Sequence, residues 1–398
     1  MRYTDVAIIG GGLAGSAAAA MLGRAGVAAI MVDPHIFYPP ELRCEKIGGT
    51  QLDLLRKTGL AEDTLRATTL DGTVWEARFG RVVANKPSDQ HGVMYDTLVN
   101  TVRAQIAPEL EIIHAKATAI STGDERQRIL LSNDEEISAR LVVLANGLNV
   151  RLRRTLGIER RIISQCHSVT LGFDVVPVGR PSFEFPALTY WPKRPSARMA
   201  YLSMFPIDGR MRANFMVYRP IDDPWFGEFR GAPEAVMLAM MPGLRRMMGD
   251  FKVDGEIRIR PADLYVSEGH RQAGIVLIGD AFATSCPAAG TGTDKVFTDV
   301  ERLCNAHIPG WLATEGMSRR KIETFYDDPV KTACDGWSTA KAYHLRSLSI
   351  DSGLSWRAQR WARFLVRLGE GTLRRARDQF NAAAGDRGQS SSSLSPSA

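Results

Sequence analysis

Cysteine is scarce in this chain, with five in 398 residues, at positions 44, 166, 286, 304 and 334. Their number is odd and no two stand in a C-x-x-C spacing, which excludes a zinc ribbon and a disulfide framework and predicts a reduced, cytoplasmic setting. Histidine is equally thin: His167, His270 and His307 are isolated, so structural roles are expected and no metal site is predicted. No apolar run approaches the roughly 20 residues that span a bilayer, and the early run at Val6 reads as a strand, not a leader. Lys and Arg exceed Asp and Glu by 50 to 44, an excess too diffuse for a nucleic-acid partner. No repeat is visible, and "GDRGQSSSSLSPSA" at the end has the composition of a disordered tail, expected over 385–398.

Glycine, by contrast, is concentrated where it carries meaning. "VAIIGGGLAGSAAAAMLGRAGVAAIMVDP" (residues 6–34) reads as strand, helix, strand: a β-branched run, an alanine-rich helix former and a second apolar run. Gly10, Gly12 and Gly15 keep the G-x-G-x-x-G spacing. The first permits a tight turn, the second lets backbone approach a pyrophosphate, and the third lets helix and strand close up. Leu13, Ala14 and Gly15 open the helix, whose free N–H groups and positive dipole end favour phosphate. Asp33, ending the second strand, is placed to accept from ribose hydroxyls. This stretch is expected to bind a dinucleotide.

Further along, "PPELRCEKIGGTQLDLLRKTGL" reads as a loop with a short helix from about Thr50. "HGVMYDTLVNTVRAQI" carries a helical apolar stripe. Short strands are predicted near 110–115, 117–121 and 129–132, and "ARLVVLANG" is a buried strand ending at Asn146-Gly147. From about Ile162 to Ile259 prolines and aromatics increase, and "RMAYLSMFP" and "RANFMVYR" alternate as antiparallel strands do. In "RMAYLSMFP" the alternation assigns Met199, Tyr201, Ser203 and Phe205 to one face, and Ala200, Leu202 and Met204 to the other. "AGIVLIGDAF" then returns to a buried strand.

Three separated pieces now form a set: G-G-G-L-A-G at the start, Asn146-Gly147 in the middle, and "IVLIGDAFATSCPAAGTGTDKVFTDVERL" with Gly279-Asp280, a Pro287–Gly292 loop and Asp299. Together they resemble the FAD-dependent monooxygenases related to p-hydroxybenzoate hydroxylase, a superfamily shared with geranylgeranyl reductases and flavin halogenases. The resemblance covers residues 1–160 and 270–305. It implies an α/β fold, with a Rossmann-like FAD-binding domain (1–160 and 262–350), an inserted, mainly antiparallel substrate domain (161–261) and C-terminal helices. It also implies that Asp280 accepts from ribityl hydroxyls, that Thr291, Gly292 and Thr293 offer amides to the flavin pyrimidine, that Arg43 pairs with phosphate, and that Ala117 meets adenine through its backbone.

The implied activity is oxygenation of a small apolar or aromatic molecule by dioxygen through a flavin hydroperoxide, with NAD(P)H as transient reductant. The chain has no second G-x-G-x-x-G unit for that reductant. Departures from the family pattern are Asn146 where Asp-Gly is usual, Tyr95 in place of an arginine, and Asp294-Lys295 where Asn and an apolar residue are common. Lys295 could balance reduced flavin, meet a substrate anion, or form a salt bridge on the helix surface. The halogenase pattern W-x-W-x-I-P is absent, whereas "YLSMFP" is similar to the reductase pattern Y-x-W-x-F-P with Ser203 for Trp. Two other readings therefore stay open, an FAD reductase of isoprenoid double bonds and a flavoprotein electron carrier with a protein partner. Tyr190, Tyr201, Phe205 and Phe215 are candidate pocket liners, with Ser203 leaving room for substrate. Finally, residues 351–384 suit a basic amphipathic helix, with Trp361, Phe364, Leu365 and Leu368 opposite Arg360, Arg363, Arg367 and Arg374. Its apolar side either packs on the protein or makes peripheral contact with a membrane.

Overall fold

A computed structural model describes residues 1–390, with side chains as far as Leu373. Two seven-stranded sheets organise the chain. In the first, strands Arg2–Ile9, Ala29–Val32, Glu111–Ile113, Glu136–Leu144 and Ile275–Leu277 run parallel, and Ala117–Ser121 and Gln127–Leu131 add an antiparallel edge. Its central strands are continuous apolar runs because both faces are buried, leaving Val6, Ala7, Ile8 and Leu141–Leu144 without exposure. The first helix, Leu13–Arg24, turns Ala17 to Ala20 inward. Side chains that stop at Cβ let it lie close to the strands and to the helix Gly292–Glu301.

The second sheet runs in the order Phe251–Glu268, Glu159–Pro177, Arg210–Val217, Met199–Ile207, Ala187–Trp191, Thr73–Arg78, Arg81–Pro87. It therefore draws a hairpin from residues 73–87, well before the interval 161–261, and the strand Thr73–Arg78 joins it parallel to Ala187–Trp191. At its other edge, strands of 19 and 18 residues pair from Glu159↔Glu268 to Pro177↔Phe251, with register shifts where they bend.

One face of this sheet is apolar and covered by three short helices, Trp225–Gly231, Pro233–Met240 and Leu244–Met248. Tyr190 and Phe215 lie in that core with no exposure, so they are not pocket liners. A bulge between Met199 and Tyr201 interrupts the expected alternation, and Met199 joins Leu202 and Met204 in the same core. Tyr201, Ser203 and Phe205 take the opposite face, toward the first sheet.

The chain ends in helices Arg319–Tyr326, Pro329–Ile350 and Leu354–Ser390. Asp328 caps the second of these, accepting from the N–H groups of Val330 and Lys331. The last helix continues through Ser390, past the expected start of the tail at 385; residues 391–398, and the side chain of Arg374, lie outside the described residues. Its apolar side packs on the protein in part, through Trp361 and Phe364 on Phe79. Arginines turn inward as well: Arg360 donates to the carbonyls of Leu348 and Asp351, and Arg367 faces Glu76. Leu365 and Leu368 are left exposed.

Candidate functional site

The turn after the first strand is closed by sterics. Gly10 holds φ +108°, and a Cβ on Gly15 would lie 1.8 Å from the Gly10 carbonyl oxygen, so neither position takes another residue. Gly12 differs. A Cβ there would meet nothing nearer than the Tyr38 ring at 3.7 Å, so the backbone faces open space. The helix that Leu13 and Ala14 open has no side-chain cap. Uncapped N–H groups beside open space are what a pyrophosphate requires, so the residues present fit a dinucleotide.

Asp33 is 6% exposed and already accepts from Gly11 N–H at 2.7 Å and His35 N–H at 3.0 Å, with the Arg103 guanidinium at 3.3 Å. Its carboxylate has about four acceptor positions, so these contacts aim it and leave capacity for one more donor. Arg103, buried at the end of the helix Tyr95–Arg103, was not singled out from sequence; the stripe that marks this helix points to its apolar side only. Ala117 opens the edge strand, four residues beyond Ile113, whose carbonyl accepts from Asp33 N–H at 3.1 Å.

Arg43 and Asp280, 237 residues apart, meet at 2.7 Å. Arg43 also lies over the Tyr95 ring, 5.7 Å from its centroid, so the tyrosine that replaces an arginine stacks under one instead. Asp280 stands in the turn after Ile275–Leu277, and Gly279 N–H beside it donates to Asp299 at 2.8 Å. The middle motif is held to this turn by Arg153, 1% exposed, which donates to the carbonyls of Gly147, Asn149 and Ala281. The arginine-bearing turn after Asn146-Gly147 was visible in sequence, but not that one of its arginines is a fastener. Asn146 itself donates to the Asn149 carbonyl at 3.2 Å, and its buried Oδ1 has no partner among the described residues.

The glycine loop is fixed from two sides. Thr291 Oγ1 shares a hydrogen with Ser338 at 2.6 Å, and Thr293 Oγ1 donates to Cys44 Sγ at 3.1 Å. Gln51 donates to the Gly290 carbonyl and to Asp294, and Thr50 to Asp294. Gly292 opens its helix with Ser285 Oγ close by, 2.9 Å from where a Cβ would stand. Lys295 is bound to Asp335, as the salt-bridge alternative has it, yet it lies inside the protein and not on a helix surface. Asp335 also takes Lys331, which reaches Asp299 at 2.9 Å, so this network supports the Gly279 turn from behind.

Above the loop, the inner face of the second sheet is polar. Glu45, fully buried, accepts from Arg212 at 2.8 and 2.9 Å and from Asn214 at 2.6 Å, and Arg212 reaches Asp174 at 3.0 Å. Lys46 donates to Ser203 Oγ at 2.9 Å and lies over the Phe205 ring at 5.0 Å. Burial pushes its amine down to about 8, against the opposing pull of Asp71. Ser203 is therefore covered by Lys46, and the space expected there for substrate is taken. Tyr201 donates to the Ala288 carbonyl at 2.8 Å, joining this sheet to the glycine loop.

The family described as FAD binding domain matches residues 3–308. The 3-demethoxyubiquinol 3-hydroxylase of Escherichia coli is 23% identical over 365 residues, 82% of this chain and 86% of its own. Squalene epoxidase erg1 of Aspergillus fumigatus is 22% identical over 367 residues, 83% of this chain and 73% of its own. Among solved structures, p-nitrophenol 4-monooxygenase PnpA from Pseudomonas putida DLL-E4 shares the fold with a TM-score of 0.73 at 17% identity, covering 92% of this chain and 94% of its own.

Proposed function

The chain belongs to the FAD-binding domain family, its cofactor is FAD, and on that premise we propose that it is a monooxygenase acting on a small apolar or aromatic molecule with dioxygen and NAD(P)H. One observation carries the reading. Residues 10–15 and 33 meet through the Asp33–Gly11 hydrogen bond, 43, 280 and 291–293 through the Arg43–Asp280 pair and the Cys44–Thr293 contact, and Gly279 lies against Ala14, so pieces scattered over the chain adjoin at the carboxyl ends of the first sheet. That surface is roofed by the polar face of the second sheet. The bound flavin supplies the redox chemistry. The chain's residues bind and orient: N–H groups of Gly12 to Gly15 on pyrophosphate, Asp33 on ribose, Arg43 on phosphate, Asp280 on ribityl hydroxyls, Ala117 toward adenine. The N–H groups of Thr291, Gly292 and Thr293 at a helix start favour negative charge on the pyrimidine side. Glu45, Arg212 and Asn214 fix the roof, and Lys46 sets a donor beneath it. Names of relatives at this identity, a hydroxylase and an epoxidase, support oxygenation over the reductase alternative.

Anaerobic reduction by NAD(P)H followed by oxygen mixing tests the reading: oxygenated product with each turnover supports it, and reduction of an alkene without oxygen consumption sinks it. Peripheral contact with a membrane through the C-terminal helix is part of the same proposal. No helix among the described residues is long and apolar enough to cross a membrane, and the exposed Leu365 and Leu368 support contact from one side.

A further inference from the structure

A cleft of about 610 Å3 opens between the turn at Phe79–Arg81, the turn at Lys193–Pro195 and the start of the C-terminal helix. Arg81, Lys193, Arg194, Arg357 and Arg360 line it. None of these five forms an ion pair among the described residues, and no carboxylate lines the cleft; Arg360 is committed to the Leu348 and Asp351 carbonyls beside the Asp351 charge, and Glu76 and Glu370 nearby are taken by Lys86 and Arg367, so Arg81, Lys193, Arg194 and Arg357 are the cations left open. Four exposed like charges around one opening, with no carboxylate among them, focus a positive field that favours an anion.

The wall of the cleft is aromatic. Phe79, Trp361 and Phe364 pack edge and face at 4.8 to 5.8 Å between centroids. Phe79 holds φ +51° because it is the first residue of the two-residue hairpin turn Phe79-Gly80, a left-handed conformation in which an aromatic residue is strained, and its ring meets the helix there. Beside the opening, Leu354, Trp361, Leu365 and Leu368 follow one another along one ridge of the helix and are 42 to 83% exposed. Val366 and Leu373, one turn round, are exposed as well.

We infer that this cleft seats the head groups of anionic phospholipids, with the leucine ridge lying in the adjoining acyl boundary. The inference rests on the membrane contact proposed above and assigns it a site. A soluble phosphate compound would satisfy the cations and leave the ridge in water. An uncharged protein surface would cover the ridge and leave the four exposed cations unpaired. An anionic bilayer satisfies both at once, since cations beside an apolar ridge are the pattern of an interfacial helix.

Co-sedimentation of the FAD-loaded protein with vesicles of phosphatidylcholine, alone or mixed with phosphatidylglycerol, tests this. Tighter binding to the mixed vesicles, weakened by salt, is expected. Lys193→Glu/Arg194→Glu, at exposed positions on a surface turn, should lose about fivefold in binding to mixed vesicles for each positive charge removed and more for each negative charge added, with flavin content and circular dichroism unchanged. Leu365→Ser/Leu368→Ser should weaken binding to both kinds of vesicle. Equal binding of wild type to both vesicles would overturn the head-group site while membrane contact stood. No binding to either would remove the membrane reading itself. Release from mixed vesicles by glycerol phosphate at low concentration would overturn the inference in favour of a soluble phosphate ligand. A Lys193→Glu/Arg194→Glu protein that binds like wild type would also overturn it.

Discussion

The two sheets solve opposite problems with similar numbers of strands. In the first, both faces are buried, the central strands are apolar, and the proposed cofactor contacts lie in the turns at the carboxyl ends of the strands. In the second, one face is an apolar core with the helices between 225 and 248, and the other buries Glu45, Arg212 and Asn214 against the cofactor half. The difference teaches where precision is kept. The first sheet fixes backbone, so its sensitive positions are glycines. The second fixes charged side chains, so its sensitive positions are ion pairs whose partners are distant in sequence.

Gly15→Ala should break the first sheet's side of the comparison hardest, because its Cβ falls 1.8 Å from backbone that cannot move away. A loss upward of about 4 kcal/mol, read by thermal melting of flavin-stripped protein, is expected. Gly12→Ala, with open space around it, should leave that melting unchanged and reduce FAD affinity alone. Equal melting of the two variants would show that the turn is not closed by contact. On the other sheet, Glu45→Ala strands a buried guanidinium with Asp174 as its remaining carboxylate and should cost about 3–5 kcal/mol in urea unfolding. Replacing both Glu45 and Arg212 with leucine should cost less than the single change; a larger cost would mean the pair does more than neutralise itself.

A smaller effect is expected where the sheets' turns meet the cofactor. Asp280→Ala removes a charge-assisted acceptor, and FAD should dissociate more readily by about 1.5–3 kcal/mol, measured by flavin fluorescence on dilution. Retention equal to wild type would take Asp280 out of the cofactor site. The smallest effect belongs to Lys46, whose pKa falls from 10.5 to about 8 on folding through burial. Below pH 8 the amine is charged in both states and the burial cost is fully present. Between about 8 and 10.5 the folded chain has released a proton the unfolded chain still holds, so stability rises with pH across that window. Lys46→Met should therefore be more stable than wild type by about 1–2 kcal/mol near neutrality, with the gain shrinking toward about pH 10. A gain independent of pH would assign it to packing.

These differences also explain what could be read from sequence. The parallel strands and the cradle were legible because burial on both faces leaves unbroken apolar runs and because Gly10 to Gly15 act within a single turn. The polar roof was not. Glu45 and Lys46 sit in a stretch that reads as loop, and Arg212 is 167 residues from the carboxylate it binds. In "RANFMVYR" the alternation of Arg212 and Asn214 with Ala213 and Phe215 is the pattern of a strand with one wet face, and only tertiary structure shows that face to be covered. The hairpin at 73–87 was missed for a related reason: its turn is Phe79-Gly80, with a phenylalanine where Asn or Asp would announce the geometry. The last helix has the amphipathic pattern expected of it. Which side turns inward was set by Phe79, distant in the chain, and by the Leu348 and Asp351 carbonyls that receive Arg360.

The two long paired strands, Glu159–Pro177 and Phe251–Glu268, have a mechanical consequence. They are two of the crossings between the cofactor half and the outer sheet, the others flanking the hairpin 73–87, and they cross as a hydrogen-bonded ladder broken by bulges. Paired rails resist swing over each stretch of constant register, so what give the outer sheet has is concentrated at the shifts near residues 162–168 and 172–174. The same rails set the terms for transplanting a foreign outer sheet onto this cofactor half. A graft that shifts their pairing by one residue would turn every inward side chain of the rails outward, so its junctions should preserve Glu159↔Glu268 at one end and enter both strands on the same rung.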